Sequence, residues 1–256
     1  MSSNASIDLN SDLGEGYGPW SMGDDATMLT LVSSANVACG GHASDPETMF
    51  RTLSLAKANG IVVGAHPSYP DIMGFGRRRL PCSAAEIERF VAAQVGALMG
   101  VAALVGVEVR YVKPHGMLCN VAADEPEVAG AIAAATRAIS KDLAILGISG
   151  TELELKPRAM GLPVFSELYA DRGYTPQGRL VPRGQPGAMI EDPDAAARRL
   201  LNWLQTGRMR THDGQEIALS GESVCIHGDS AHAVAMARHL RGAFTAHGVE
   251  IRPFMT

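Results

Sequence analysis

Near the middle of the chain, Arg110-Tyr111-Val112-Lys113-Pro114-His115-Gly116 is an apolar run that ends abruptly in a lysine, a proline, a histidine and a glycine. A strand that buries its aliphatic part and then breaks holds its last polar side chains at the edge of a sheet, where a ligand can reach them. The stretch therefore predicts a buried strand that presents Lys113 and His115 at its carboxyl end.

The same pattern recurs along the chain. Two other apolar runs end in a histidine and a breaker, Ile61-Val62-Val63-Gly64-Ala65-His66-Pro67 and Val224-Cys225-Ile226-His227-Gly228-Asp229. Two runs are variants of it, Ile7-Asp8-Leu9-Asn10-Ser11-Asp12-Leu13-Gly14-Glu15 and Ala35-Asn36-Val37-Ala38-Cys39-Gly40-Gly41-His42. A further predicted strand, Val164-Phe165-Ser166-Glu167, ends in a glutamate. We expect these ends to bring titratable side chains to one side of a single sheet or barrel.

Helix signals separate the predicted strands. Asp45 and Pro46 start one helix, and two capping boxes are predicted, Ser83 with Glu86 and Asp124 with Glu127. Strand and helix alternate about seven times, and the strands are continuously apolar, which is typical of a parallel sheet covered by helices or closed into a barrel. Polar residues at nearly every strand end favour a closed β/α barrel over an open doubly wound sheet, because barrel enzymes place their sites at the carboxyl ends of strands.

Three local predictions accompany this fold. Alternation along the first strand puts Asp8, Asn10 and Asp12 on one face, which in a closed barrel points into the lumen. The pair Asp213-Gly214 predicts a small type I′ hairpin. The Gly/Pro-rich segment 171–191 has a length that is usually functional or disordered.

The composition is that of an ordinary soluble protein. The chain has 256 residues, a net charge of -5 and 19% charged residues. No linker divides it, so we predict one domain over residues 1–256. The acidic balance argues against nucleic acid as a partner. The first residues, Met1 to Ser6, are few and polar, and we expect no apolar run of membrane-spanning length. We therefore predict a cytoplasmic protein without a membrane segment.

Four histidines at strand ends are the first candidates for chemistry. A single strand-end histidine is usually a core imidazole bonded to a backbone carbonyl, but several at equivalent positions indicate a shared site, formed by His42, His66, His115 and His227. Histidine and aspartate on adjacent strands suit zinc or a similar ion. No compact motif such as H-E-x-x-H is present, so the sequence leaves a bound divalent metal open.

Charged side chains are expected at the same site. Lys113 is a candidate base or a fixed cation for a carboxylate or phosphate, unless it pairs with Asp12 or Glu167. The candidate acids and bases are Asp12, Glu15, Glu167, Asp171 and Asp229. Arginines in glycine-rich loops could close over an anion, and we expect only one or two to do so among Arg77, Arg78, Arg79 and Arg183.

Taken together, these motifs closely resemble those of the LamB/YcsF family, in the family's order and over nearly the whole chain. The resemblance rests on the strand-end runs quoted above, joined by Pro67-Ser68-Tyr69-Pro70-Asp71, Gly74-Phe75-Gly76-Arg77-Arg78 and Tyr169-Ala170-Asp171-Arg172-Gly173-Tyr174. It implies the irregular seven-stranded β/α barrel of the glycoside hydrolase/deacetylase group. It also implies ATP-dependent opening of the lactam of 5-oxo-L-proline to L-glutamate, with ATP and Mg²⁺ and with B and C partner subunits.

That reaction needs a cation for the substrate carboxylate, a base for water and an acid for the ring nitrogen. We expect Lys113 or Arg183 to hold the carboxylate or phosphate, Asp12 or Glu167 to activate water, and His115 or His227 to deliver the proton. The remaining candidate substrate-binding residues are Asn10, Arg77, Asp171 and Asp229. No nucleotide-binding motif such as G-x-x-x-x-G-K-[ST] is present, so ATP binding rests on the resemblance alone.

Two alternatives stay open. Deacetylase relatives tend to carry two adjacent acids after the first strand, whereas this chain has Asp12 and Leu13, which weakens any transfer of their metal site. A metal-dependent deacetylase or carbohydrate-active hydrolase on the same barrel is nevertheless the rival enzyme. A protein that only regulates or scaffolds its partner subunits is the non-enzymatic interpretation.

Overall fold

A ring of parallel strands forms the centre of the computed structural model, which describes residues 5–228 and 232–255. The strands are β1 (Ser6–Leu13), β2 (Ser34–Ala38), β3 (Val62–His66), β4 (Val109–Val112), β5 (Ala144–Ile148), β6 (Val164–Tyr169), β7 (Arg208–Arg210), β8 (Glu216–Ala218), β9 (Ser223–Ile226) and β10 (Glu250–Ile251). Strands β1 to β6 and β9 pair in order, and β9 pairs with β1 to close the ring. In the described residues this is a seven-stranded barrel, as predicted, with β10 paired beside the start of β1.

Helices connect the strands and cover the outside of the ring. They are α1 (Asp25–Met28), α2 (Pro46–Ala58), α3 (Ala84–Val105), α4 (Gly116–Asp124), α5 (Pro126–Ile139), α6 (Glu152–Ala159), α7 (Pro193–Thr206) and α8 (Ala233–Ala246). Two predicted starts are confirmed: Asp45 accepts hydrogen bonds from the second and third backbone N–H groups of α2, and Ser83 forms a reciprocal capping box with Glu86. These side chains satisfy N–H groups that have no partner inside the helix.

The predicted capping box of Asp124 with Glu127 is wrong. Asp124 is the last residue of α4, and α5 begins at Pro126 without a side-chain cap. The sequence analysis does not predict α4, because it interprets Gly116 only as a residue that ends the strand before it. In the structure Gly116 has a positive φ of 55° and is the first residue of α4. Glu167 was also misplaced, since β6 continues past it to Tyr169.

Helix α3 is long and apolar enough to cross a membrane by length and composition alone, contrary to the expectation that no run approaches that length. In the fold it packs against α2 and α5 and against β3 and β4. Its buried stripe includes Ile87, Val91, Val95 and Leu98. Its apolar character is therefore explained as that of an outer helix of the barrel.

The predicted hairpin exists between β7 and β8, but its turn is not type I′. A type I′ turn needs two successive residues with positive φ. In the loop between Arg210 and Glu216, Gly214 has a φ of 88°, whereas Asp213 stays at negative φ. The turn is instead held by Asp213, whose carboxylate accepts a hydrogen bond from the Thr211 hydroxyl at 2.5 Å.

The amino-terminal end of the barrel is filled by aromatic side chains. Tyr111 packs on the ring of Phe254 with centroids 5.0 Å apart, and Phe254 packs on Phe165 at 4.8 Å. Tyr111 reaches across the lumen above Gly64, and a Cβ at that glycine would lie 2.2 Å from the Tyr111 ring. The hydroxyl of Tyr111 also donates to Asn36 Oδ1 at 2.6 Å, which fixes the ring.

We expect Gly64→Ala to destabilise the protein by about 1–3 kcal/mol, because the new methyl group would force the buried Tyr111 ring to move. The matched control is Gly96→Ala on the exposed face of α3, where a Cβ meets nothing within 4 Å. That control should be stabilising by about 0.5–1 kcal/mol. Urea unfolding followed by circular dichroism measures both, and equal stability of the two variants would contradict the packing of Tyr111 on Gly64.

Candidate functional site

One cavity of about 490 Å³ lies at the carboxyl end of the barrel, and residues from opposite sides of the ring line it. Five of the predicted side chains face it, namely Asp12, His66, Lys113, His115 and His227. The expected convergence of distant strand ends on one mouth is therefore present. Of the other candidates, Arg77 and Arg183 also line this cavity, whereas five do not, namely Asn10, Glu15, His42, Glu167 and Asp171.

Backbone pairing beyond the end of β4 places Lys113 and His115. The Lys113 N–H donates to the carbonyl of Ala65 at 2.9 Å, and the His115 N–H donates to that of Pro67 at 2.8 Å. Both residues thus stay in register with the end of β3. The positive φ of Gly116 then turns the chain sharply into α4.

The ammonium of Lys113 lies buried in the lumen between two carboxylates. Its Nζ is 2.8 Å from Asp12 Oδ1 and 2.9 Å from Glu167 Oε1. It also donates to Cys225 Sγ at 3.0 Å. Burial opposes the charge on the ammonium, but the negative charges around it, first that of Asp12, hold the pKa of Lys113 well above its usual range. The lysine is paired with both acids that the sequence offered as partners.

Asp12 is the carboxylate of this pair that reaches the cavity. Burial disfavours its ionisation, but His66 and Lys113 outweigh burial and lower the pKa of Asp12 well below its usual value. Its Oδ1 accepts from Lys113 and from Asn36 Nδ2, the latter at 2.8 Å, while Oδ2 lies 3.3 Å from His66 Nε2. Asp12 is therefore an ionised carboxylate with one oxygen directed at the histidines.

A layer of polar side chains beneath Lys113 holds it in place. Asn10 donates to Glu167 Oε1 at 2.9 Å and to Ser223 Oγ at 2.7 Å, and its Oδ1 accepts from Asn36 at 2.7 Å. Asp8 below them is bonded to three hydroxyl groups, and burial raises its pKa to about 6. Because the hydrogen-bonding groups of Asn10 are used in this layer, the structure places it as a support rather than at the cavity surface.

Glu15 and three histidines form a second polar cluster at the ends of β1 to β4. The His42 Nε2 atom lies 2.9 Å from Glu15 Oε1, His66 Nε2 lies 3.0 Å from His115 Nδ1, and His115 Nδ1 lies 3.4 Å from Glu15 Oε1. The rings of His42 and His115 are stacked 3.7 Å apart. Burial lowers the pKa of His42 to about 3 and takes that of His115 well below its usual value, so both imidazoles are neutral at physiological pH.

His227 and Asp171 form a separate pair on the opposite wall. His227 Nδ1 lies 2.8 Å from Asp171 Oδ2. Burial disfavours the imidazolium, but the charge of Asp171 outweighs burial and raises the pKa of His227. For Asp171, burial is likewise outweighed by His227, and its pKa is lowered. The guanidinium of Arg199 donates to the carbonyls of Tyr169, Ala170 and Arg172 around Asp171, which fixes this carboxylate against His227.

Arginines surround the outer part of the cavity. Four of them line it, Arg77, Arg172, Arg179 and Arg183. By contrast, Arg78 is bonded to Asp71 and Arg79 to Glu125. Of the four arginines considered from the sequence, two line the cavity, Arg77 and Arg183. Arg172 and Arg179, both on the long loop, were not predicted as site residues. Arg172 donates to the carbonyls of Ala188 and Val181 and ties the loop down.

Several supporting residues were missed by the sequence reasoning. Asn36, Tyr111 and Ser223 contact the central polar residues but were not among the predicted site residues. The inward alternation that identified Asp8, Asn10 and Asp12 could have found Asn36 and Ser34 on β2. The candidate Asp229 lies outside the described residues.

Comparisons with known proteins agree with this architecture. The model of the LamB/YcsF family matches residues 7–256. A protein of Azorhizobium caulinodans, named as the A subunit of 5-oxoprolinase, is 49% identical over 250 residues, which cover 97% of this chain and 98% of that protein. A Pseudomonas syringae pv. tomato protein, named as the third A subunit of 5-oxoprolinase, is 48% identical over 97% of both.

A solved structure extends the similarity to the fold. The crystal structure of a lactam utilization protein from Thermus thermophilus superposes with a TM-score of 0.91 at 41% identity. The match covers 96% of this chain and 99% of that one. From the family match over almost its whole length and these full-length similarities, the chain belongs to the LamB/YcsF family.

Proposed function

We propose that this chain carries the lactam-hydrolysing site of a multi-subunit, ATP-dependent 5-oxoprolinase, which opens 5-oxo-L-proline to L-glutamate as ATP is cleaved to ADP and phosphate. The observation that carries the proposal is a single cavity in which an ionised Asp12, a paired His227 and several arginines face the same space. The reaction is supplied by the names of the full-length relatives, each called the A subunit of 5-oxoprolinase.

The arginines at the mouth suit the substrate carboxylate. A guanidinium binds a carboxylate or phosphate through two parallel hydrogen bonds. Arg183 is exposed, and its Nη1 contacts the sulfur of Met189 at 3.6 Å, a weak interaction that a carboxylate would readily replace. Lys113 is already shared by two carboxylates deeper in the lumen, so we assign the substrate anion to Arg183, with Arg77 beside it.

Asp12 is assigned to water activation. Of the two acids considered, Asp12 lines the cavity and Glu167 does not. A lactam is a poor electrophile, so we expect phosphorylation of its oxygen to activate the carbonyl carbon before water attacks. Water then adds to that carbon, the C–N bond breaks as the ring nitrogen takes a proton, and a second water releases phosphate from the resulting acyl phosphate to give L-glutamate. An ionised carboxylate held by Lys113 can orient the first water and accept its proton.

His227 is assigned to proton delivery to the ring nitrogen. Its raised pKa favours the imidazolium, which has a proton to give. His115 is a poor candidate for this role because its pKa lies well below the usual range and its Nε2 is bonded to the carbonyl of Phe75 at 2.9 Å. Asp171 then acts by orienting His227 and by stabilising its imidazolium form.

The roles of ATP, Mg²⁺ and the B and C subunits are part of the proposal. Nothing in the cavity identifies a nucleotide site, so ATP and Mg²⁺ are assigned to the assembled complex and not to one polypeptide within it. We also retain the expectation of a cytoplasmic location. Omitting each subunit in turn while measuring ATP-dependent glutamate release tests the assembly. Turnover by this chain alone, without ATP and abolished by a chelator, would favour the rival metal-dependent hydrolase.

We expect Asp12→Asn to reduce glutamate release by the reconstituted complex by at least about 100-fold, because it removes the proposed base. His247→Gln is the control, since His247 lies exposed at the end of α8 and its Nδ1 bonds the local carbonyl of Ala243. The melting temperature of each variant separates loss of chemistry from loss of folding. Full turnover by a folded Asp12→Asn protein would refute the role of Asp12.

The pH dependence tests His227. If its imidazolium delivers the proton, kcat/KM should fall as the pH rises through the raised pKa of His227. In Asp171→Asn the carboxylate that raises this pKa is gone, so the high-pH limb should move to lower pH. A pH–rate profile of both proteins measures the displacement, and an unmoved limb would exclude His227 as the acid.

Arg183→Gln should raise KM for 5-oxoproline roughly 10-fold or more, since a hydrogen bond to a charged group contributes about 1.5–3 kcal/mol. The effect on kcat should be smaller. The control is Arg158→Gln, which removes an exposed guanidinium paired with Glu154 on α6. Steady-state kinetics in which both variants keep the original KM would remove Arg183 from substrate binding.

A further inference from the structure

We infer that Glu15, His66 and His115 form a binding site for one divalent transition-metal ion of the zinc class. The three residues follow or end the strands β1, β3 and β4, and all are buried. Each offers one nitrogen or oxygen atom, and these atoms lie within 4.8 Å of one another. The site does not depend on the lactam chemistry proposed above.

Backbone carbonyls determine which nitrogens carry the protons. His66 Nδ1 lies 2.7 Å from the carbonyl oxygen of Lys113, and His115 Nε2 lies 2.9 Å from that of Phe75. A carbonyl only accepts, so each of these nitrogens must be the N–H donor. In the neutral rings the opposite nitrogens, His66 Nε2 and His115 Nδ1, therefore carry lone pairs.

These two lone pairs face each other across 3.0 Å, a distance at which a cation must lie between or beside them. Two carboxylate oxygens lie around the same point, Asp12 Oδ2 at 3.3 Å from His66 Nε2 and Glu15 Oε1 at 3.4 Å from His115 Nδ1. These four atoms are all acceptors when the rings are neutral. Buried acceptors in such an arrangement repel one another unless a positive charge is shared.

A shared proton is the alternative to a metal ion. One proton on His66 Nε2 can be given to His115 or to Asp12, but not to both at once. A metal ion can be shared by all of the acceptors at once. His42 is not a ligand, because its ring is parallel to that of His115 at a centroid distance of 3.7 Å, so the in-plane lone pairs of the two rings cannot meet at one ion. Its Nε2, 2.9 Å from Glu15 Oε1, instead orients that carboxylate.

The donor set and spacing indicate the kind of ion. Two imidazole nitrogens and one carboxylate oxygen suit Zn²⁺ or Co²⁺, whereas Mg²⁺ and Ca²⁺ prefer oxygen ligands. Ligand bonds of about 2.0–2.1 Å to a tetrahedral ion place neighbouring donors about 3.4 Å apart. The separations of 3.0 and 3.4 Å found here are close to that value, and the fourth position is left for water or for Asp12 Oδ2, 3.3 Å from His66 Nε2. Since His66 and His115 also line the cavity, the ion would lie in its wall.

Cobalt titration of the full-length, chelator-treated protein tests the site without relying on activity. We expect one Co²⁺ per chain, with the intense visible absorption of a four-coordinate ion, and displacement of Co²⁺ by Zn²⁺. His66→Gln and His115→Gln should each weaken binding more than about 100-fold, because even loss of a residue that only supports a ligand costs about 10–100-fold. His247→Gln should bind Co²⁺ like the original protein.

Two results would overturn the site. One is the absence of stoichiometric Co²⁺ binding by the folded original protein, which needs no variant. The other is binding that persists with an unchanged spectrum in both ligand variants. If instead the metal-free protein retains an imidazolium at His66 in ¹⁵N NMR spectra and added Zn²⁺ neither removes it nor raises the melting temperature, the cation is a proton and the assignment fails.

Discussion

The buried ammonium of Lys113 is the constraint on which the rest of the barrel interior depends. An ammonium removed from water costs several kcal/mol unless charges and hydrogen bonds compensate for it. Asp12 and Glu167 provide the charge, and they in turn need the donors of Asn10 and Asn36. This explains why the lumen of this barrel carries a polar layer where many β/α barrels carry branched aliphatic side chains. Each member of the layer satisfies another, so the geometry above it is fixed.

That fixed layer supports two chemically different walls. The ends of β1 to β4 provide Glu15 and three histidines, of which His42 and His115 are kept neutral by burial. The ends of β6 and β9 provide Asp171 and His227, a pair suited to holding a proton. Asp12 stands between the walls, bonded to Lys113 below and close to His66 at its side. The arginines that line the cavity belong to loops outside the barrel.

Much of the fold and the position of the site could be predicted from the sequence, because both follow from local patterns. Apolar runs that break after His66, Lys113 and His227 indicate buried parallel strands, and the carboxyl ends of such strands must meet at one edge. What local patterns could not provide was pairing between distant residues. Asn36 and Ser223 are ordinary members of their own strands and matter only because the closed ring places them against Asn10 and Asp12. The helix α4 was not predicted for the same reason. Gly116 ends one element and begins the next, and the sequence around it shows only the first of these roles.

The aromatic side chains of Tyr111, Phe165 and Phe254 fill the amino-terminal end of the lumen, opposite the cavity that Asp12 lines. A small molecule that reaches Asp12 through the cavity therefore enters and leaves on the same side of the barrel. A partner protein bound over that side would control substrate entry and product release together.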